Sequence, residues 1–257
     1  MSASHGLPLA KLSRSASAAA VQGPPASTRF TPQSRATVVL AITAPLLLLW
    51  KYYGSQGFFQ GSIAPHLSLS VDPAAVGAFY RFGSAFLLLG VIPAIVVKAV
   101  FREQLRDYGV GPGIVSQTLS SIAMLSPVFA IAAWIGSFDP GVRAVFPINP
   151  QACASAAAFA THAAGYVLFY LGWEFYFRGF LQHGVREAFG DWNAILVQVA
   201  ASALLHIGDP AAEAFGAIAA GLLWGMLAFR TRSLLSGTVQ HAVLGITLDA
   251  WICYGPA

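Results

Sequence analysis

Charge is scarce in this chain. Its 257 residues include 14 Lys and Arg and 10 Asp and Glu, so 9% are charged against 56% hydrophobic, where a soluble domain carries about 25% charged residues. With a mean hydropathy of +0.66, that scarcity excludes an ordinary soluble domain and a chain disordered throughout. Acid is missing altogether from the first part of the sequence, where Asp72 is the earliest acidic residue. Cysteine is nearly absent: Cys153 and Cys253 belong to no CxxC or Cys/His ligand spacing, so both read as small apolar residues. There is no basic run, zinc-finger spacing or basic stripe with interleaved aromatics, so a pI near 9.3 does not imply a nucleic-acid partner. No apolar segment precedes residue 36, and a secretory signal peptide is not expected.

What the sequence has instead is long apolar runs, at about 36–52, 77–99, 114–138, 152–177, 193–208, 214–229 and 234–252. Seven helices follow, and the expected fold is an all-α polytopic transmembrane bundle over residues 36–257. The runs 193–208 and 214–229 are at or below the crossing length of about 17–25 residues, which suits tilted, re-entrant or neighbour-buried segments. Alternate assignment of loops puts Lys11, Arg14, Arg29, Arg35, Lys98, Arg102, Arg106, Arg178, Arg186, Arg230 and Arg232 on one side and only Lys51, Arg81 and Arg143 on the other. Positive charge collects in the cytoplasm, so the N-terminus is expected inside and the C-terminus outside. Residues 1–35, rich in Ser, Ala and Pro with four cations, read as a disordered basic tail, a composition that organelle transit peptides share. No internal repeat of the kind transporters use is visible, which weighs against a carrier.

Ionisable groups within apolar helices are costly and mark function by default. Here they are Glu174, Arg178, His206, Glu213, His241 and Asp249, with His162 as an outlier. Glu174 and Arg178 stand four apart in GWEFYFRGFL, share a helix face and can neutralise one another; alone, they read equally well as a structural ion pair. Two histidines in later helices, in SALLHIGDP and SGTVQHAVLG, add the composition that hydrolysis needs. At about 1.5 Å rise per residue, a shared depth for the three segments requires tilt or a broken helix. His162 lies 12 residues before Glu174, about 120° around the helix, and reads as structural. His183, near a helix end, reads as solvated. Trp50, Tyr52 and Tyr53 read as an interfacial aromatic belt, Arg81 as a side chain that snorkels outward, and Pro45 and Pro93 as helix kinks.

The stretch WEFYFRGFL resembles the first signature, EExxxR followed by Gly, of the intramembrane endopeptidases related to the CAAX prenyl proteases and bacteriocin-processing enzymes. The second signature, FxxxH, aligns at His206 and the third, HxxxN, at His241; the intervening GAIAAGLLWGMLAFRTRSLLSG and the earlier QLRDYGVGPG also look like that family. The resemblance covers about residues 80–253. Three positions depart from it: Trp173 stands at the first Glu, Ser202 at the Phe and Gly245 at the Asn.

The resemblance implies a protease-like core in which Glu174 activates a water, His206 and His241 hold that water or the oxyanion, and Arg178 orients the carboxylate. Glu213 and Asp249 are the possible additional carboxylates, since the family's first Glu is absent. It implies a glutamate-type site with no cofactor, although a zinc on the two histidines with Glu213 or Glu174 is chemically reasonable. The implied partners are the bilayer and a membrane-anchored peptide or protein substrate, and the implied location is the bacterial inner (cell) membrane. The alternative is a non-catalytic binding, immunity or scaffold protein of the same fold.

Overall fold

A computed structural model describes residues 30–256. The expected basic tail lies outside the described residues up to position 29, and helix begins four residues before the first apolar run. Thr31 starts α1 (Pro32–Tyr53): its side chain accepts from the Ser34 N–H, and Pro32 occupies the first turn, where its missing N–H costs nothing. Asp72 caps the second long helix, α2 (Pro73–Phe101), in the same way through the Ala74 N–H. Pro93, which lacks an N–H, sits in this helix between π-helical stretches at Phe86–Val91 and Val96–Phe101.

Helix α3 is Val115–Gly136. Helix α4 starts at Ala156, capped by Ser155, runs regularly to Glu174, widens into a π-helix over Phe175–Leu181 and resumes as Gln182–Phe189. Three further helices complete the bundle: α5 (Asp191–Leu205), α6 (Ala211–Thr231) and α7 (Leu235–Tyr254). The seven helices coincide with the seven apolar runs to within a few residues, except that α4 continues twelve residues past the end of its run at 177. Together they form an all-helical membrane bundle.

Four of these helices, α1, α2, α3 and α6, are long and apolar enough to cross a membrane, and α5 is a shorter apolar helix. Helices α4 and α7 are not among the four because they carry the polar groups turned into the bundle: His162, Glu174, Gln240, His241 and Asp249. α4 is the central element. Every residue of its π-helical stretch is buried, with Tyr176, Phe177, Phe180 and Leu181 wholly inaccessible. α7 packs on α3, α4 and α6, α5 packs on α6, and α1 lies along the last turns of α4. A helix buried on every side over such a stretch belongs in the middle of a bundle.

The two ends of the bundle are held differently. At the basic end, Arg35 of α1 pairs with Glu103 at 2.8 Å and with Glu187 near the end of α4. The Tyr108 hydroxyl also donates to Glu103 at 2.5 Å, and burial together with that carboxylate pushes the phenol well above its ordinary range. At the opposite end, Cys153 and Cys253 form a disulfide. This corrects the reading of the two cysteines as apolar filler. Cys153 lies just before α4 and Cys253 in the last turn of α7, and because these helices pack on each other their ends are brought to within 4.9 Å between Cα atoms.

Disulfides persist in oxidising compartments, in keeping with the side expected to be extracytoplasmic. The bond is expected to react with a membrane-impermeant reductant and maleimide added outside intact cells. Cys153→Ser/Cys253→Ser is expected to lower unfolding stability in detergent by about 2–4 kcal/mol. Labelling only after lysis would reverse the expected orientation.

Candidate active site

Glu174 is the last residue of the regular part of α4, at the point where the helix widens; π-helical turns recur at functional positions. The carboxylate is 1% exposed. Its Oε1 is 3.2 Å from Arg178 Nη1 and 2.8 Å from His241 Nδ1. Its Oε2 lies against Gly237 of α7, where a Cβ would come within 2.8 Å; glycine is what admits the carboxylate between the two helices. An ionised carboxylate can only accept, so the proton of His241 sits on Nδ1 and the lone pair on Nε2. The guanidinium of Arg178 stacks over Trp224 at 5.3 Å, and Trp224 packs on His241 with ring centroids 4.4 Å apart. The Trp224 indole donates to Gln240 at 3.0 Å, and Gln240 in turn donates to the Ser121 carbonyl of α3 at 3.2 Å. With Tyr170 on another side at 4.2 Å between ring centroids, His241 is held on three sides.

His206 lies just past the end of α5 and caps it, rather than within it. The turn that follows brings two acids to its ring: Nδ1 is 3.1 Å from Asp209 Oδ2 and 3.4 Å from Oε1 of Glu213, in the first turn of α6. The Glu213 Oε2 is buried and has no hydrogen-bond partner. Trp173, at 6.0 Å, presents its ring edge-on to His206.

A cavity of about 510 Å³ connects the two clusters. It is lined by His206, Asp209, Glu213, His241 and Arg178 together with Tyr170, Trp173, Ser202 and Gly245, but not by Glu174. The two histidines therefore share one space, each fixed through Nδ1 to a carboxylate. Glu174 stands behind His241, and Glu213 faces the open volume.

The other expected residues fall elsewhere. Asp249 does not line the cavity; it is wholly buried against His162, with His162 Nε2 2.7 Å from its Oδ2. That bond ties α4 to α7 near the disulfide and gives His162 its structural place. His183 is not solvated: its Nδ1 is 2.6 Å from the Arg178 carbonyl and its ring packs on Phe229. Trp50 is 5% exposed and lines the cavity instead of forming an interfacial belt with exposed Tyr52 and Tyr53, and Arg81 lies over its ring. Asp209 escaped notice, although a carboxylate three residues after a histidine can fold back on it across a turn.

For a metal, the residues that converge are His206, Asp209 and Glu213, whose ligand atoms lie within 4.8 Å of one another. His241 is not part of that group among the described residues, because neither of its ring nitrogens lies within that distance of all three.

The molecule is thus a helical membrane protein with a polar, histidine-bearing site enclosed among its helices. Residues 155–247, which take in both histidines and the Glu174–Arg178 pair, match the family model described as type II CAAX prenyl endopeptidase Rce1-like. The match runs from the start of α4 into the middle of α7 and is narrower than the 80–253 expected; QLRDYGVGPG lies outside it. No curated protein and no solved structure matches the chain.

Proposed function

We propose that the protein is an intramembrane endopeptidase that hydrolyses a peptide bond in a membrane-anchored substrate, using water activated at His206 and Glu213. The observation that carries this reading is the pair of histidines, each bound through Nδ1 to a carboxylate, on one cavity within the family segment. Glu213 is the base because, of the two glutamates, each with one buried oxygen free of hydrogen bonds, it is the one that lines the cavity. It takes a proton from water as the water oxygen bonds to the scissile carbonyl carbon, and later gives that proton to the leaving amine. His206, held by Asp209, positions the water. His241, held by Glu174 through Nδ1, donates to the developing oxyanion when Nε2 carries a proton. Glu174 thus positions His241 and does not touch the water, in contrast to the role that the resemblance alone implies.

The reaction so written uses no metal, although His206, Asp209 and Glu213 could hold a divalent cation. The bilayer is the second partner, in our reading the bacterial inner membrane, and the charge partition supports an orientation with the N-terminus inside. The non-catalytic alternative draws on one observation: Trp173, at the position of the family's first Glu, is buried against Trp50 and Phe169. The two readings are separated by incubating purified protein with membrane-anchored peptides, including prenylated C-terminal tails, with and without EDTA. Turnover that persists in EDTA is expected. Turnover abolished by EDTA would replace the base with a metal, and no turnover by the wild type would leave the scaffold reading.

A further inference from the structure

We propose that the hydroxyl of Tyr170 is a catalytic hydrogen-bond donor to the oxyanion, acting from the space that a side chain at position 245 would otherwise fill; this rests on the endopeptidase reading above. Tyr170 lies one turn before Glu174 on α4, and Gly245 lies one turn after His241 on α7. Residues four apart share a helix face, so the two helices meet at two successive levels. At the first, Glu174 engages His241. At the second, Tyr170 meets Gly245: a Cβ built there would stand 1.9 Å from Tyr170 Oη and 2.9 Å from Cζ. No side chain fits at 245 while the phenol is in place. The hydroxyl has been driven onto bare backbone of the opposite helix.

That position matters chemically because the HxxxN pattern that this segment resembles places an amide donor there, and Gly245 supplies none. The phenol returns a donor to the same volume from the facing helix. Tyr170 is 3% exposed, its ring centroid is 4.2 Å from that of His241, and Tyr170, His241 and Gly245 line the same cavity. Tyr166, a turn earlier, stacks on it at 4.6 Å and fixes its plane. For packing alone a phenylalanine would suffice; the atom that needs glycine at 245 is the oxygen. As water adds to the carbonyl carbon, the π electrons move to oxygen and the phenol donates a hydrogen bond to it without giving up its proton. A donor aimed at developing charge in such an apolar setting contributes about two to three orders of magnitude in kcat.

The test uses full-length protein and a cleaved peptide, with kcat, KM and thermal unfolding measured for each variant. Tyr170→Phe is expected to lower kcat about a hundredfold with KM within about twofold and unfolding unchanged. If unfolding shifts too, the swapped pair decides: Tyr170→Leu/Gly245→Asn should regain at least about tenfold over Tyr170→Leu, and no recovery would overturn the assignment. A Tyr170→Phe protein with wild-type kcat would overturn it while leaving the endopeptidase reading intact. A wild type that hydrolyses none of the peptides would overturn both.

Discussion

Glu213→Gln is expected to lower kcat by at least about two orders of magnitude with little change in folded yield. The loss follows from removing the proton acceptor while keeping the side-chain shape, and that is the usual scale for a positioned acid or base. Yield should hold because Glu213 is a half-buried residue in the first turn of α6 and is not locked in the core. His206→Ala should fall by a similar factor. The combination His206→Ala/Glu213→Gln should be scarcely worse than either, because members of one catalytic unit fail together. Trp173→Phe, which keeps an aromatic ring against Trp50 and Phe169, should retain most activity. Single-turnover rates on a cleaved peptide give the answer: wild-type turnover by Glu213→Gln would remove Glu213 as the base and return that role to Glu174.

Arg178→Ala should have the largest effect on stability, about 3–5 kcal/mol. Both members of the pair are almost wholly enclosed, with side chains 3% and 1% exposed. Removing the cation leaves a carboxylate in an apolar interior, with His241 as its one remaining partner. The cost is that of an uncompensated buried charge and exceeds the net worth of the intact pair. Arg178→Ala/Glu174→Gln, which removes both charges, should therefore recover a substantial part of the loss, although activity should stay low because His241 is no longer oriented. Denaturant unfolding in detergent measures each variant. Losses that simply add would show that the two residues are not energetically coupled.

Much of this architecture was legible in the chain. Apolar runs located the seven helices because α-helix in a bilayer needs length and apolarity and little else. The Glu174–Arg178 pair was legible because four-residue spacing is a local property of a helix. What escaped depends on contacts between distant segments. The Cys153–Cys253 bond joins residues 100 apart, and nothing local to either cysteine announces the other. Asp249 lies on an apolar helix much as His241 does, and only the packing of α4 on α7 separates a partner for His162 from a residue of the site. The same holds for the two glutamates: which of Glu174 and Glu213 faces open space is decided by where His241 and Arg178 stand. Gly245 read as a departure until the facing helix showed what occupies its place.

The two histidines also sit on supports of unequal stiffness. His241 is embedded in the body of α7, held by rings above and below. His206 sits at the mouth of a short turn to α6, where Ile207 is 71% exposed and Gly208 adopts a left-handed conformation at φ 98°. Local opening is cheapest where buried contacts are few, so backbone amides 206–209 should exchange with solvent far sooner than those around 241. One wall of the cavity is an anvil and the other a jaw. Substitutions in the 206–210 turn are therefore expected to change turnover more than unfolding stability.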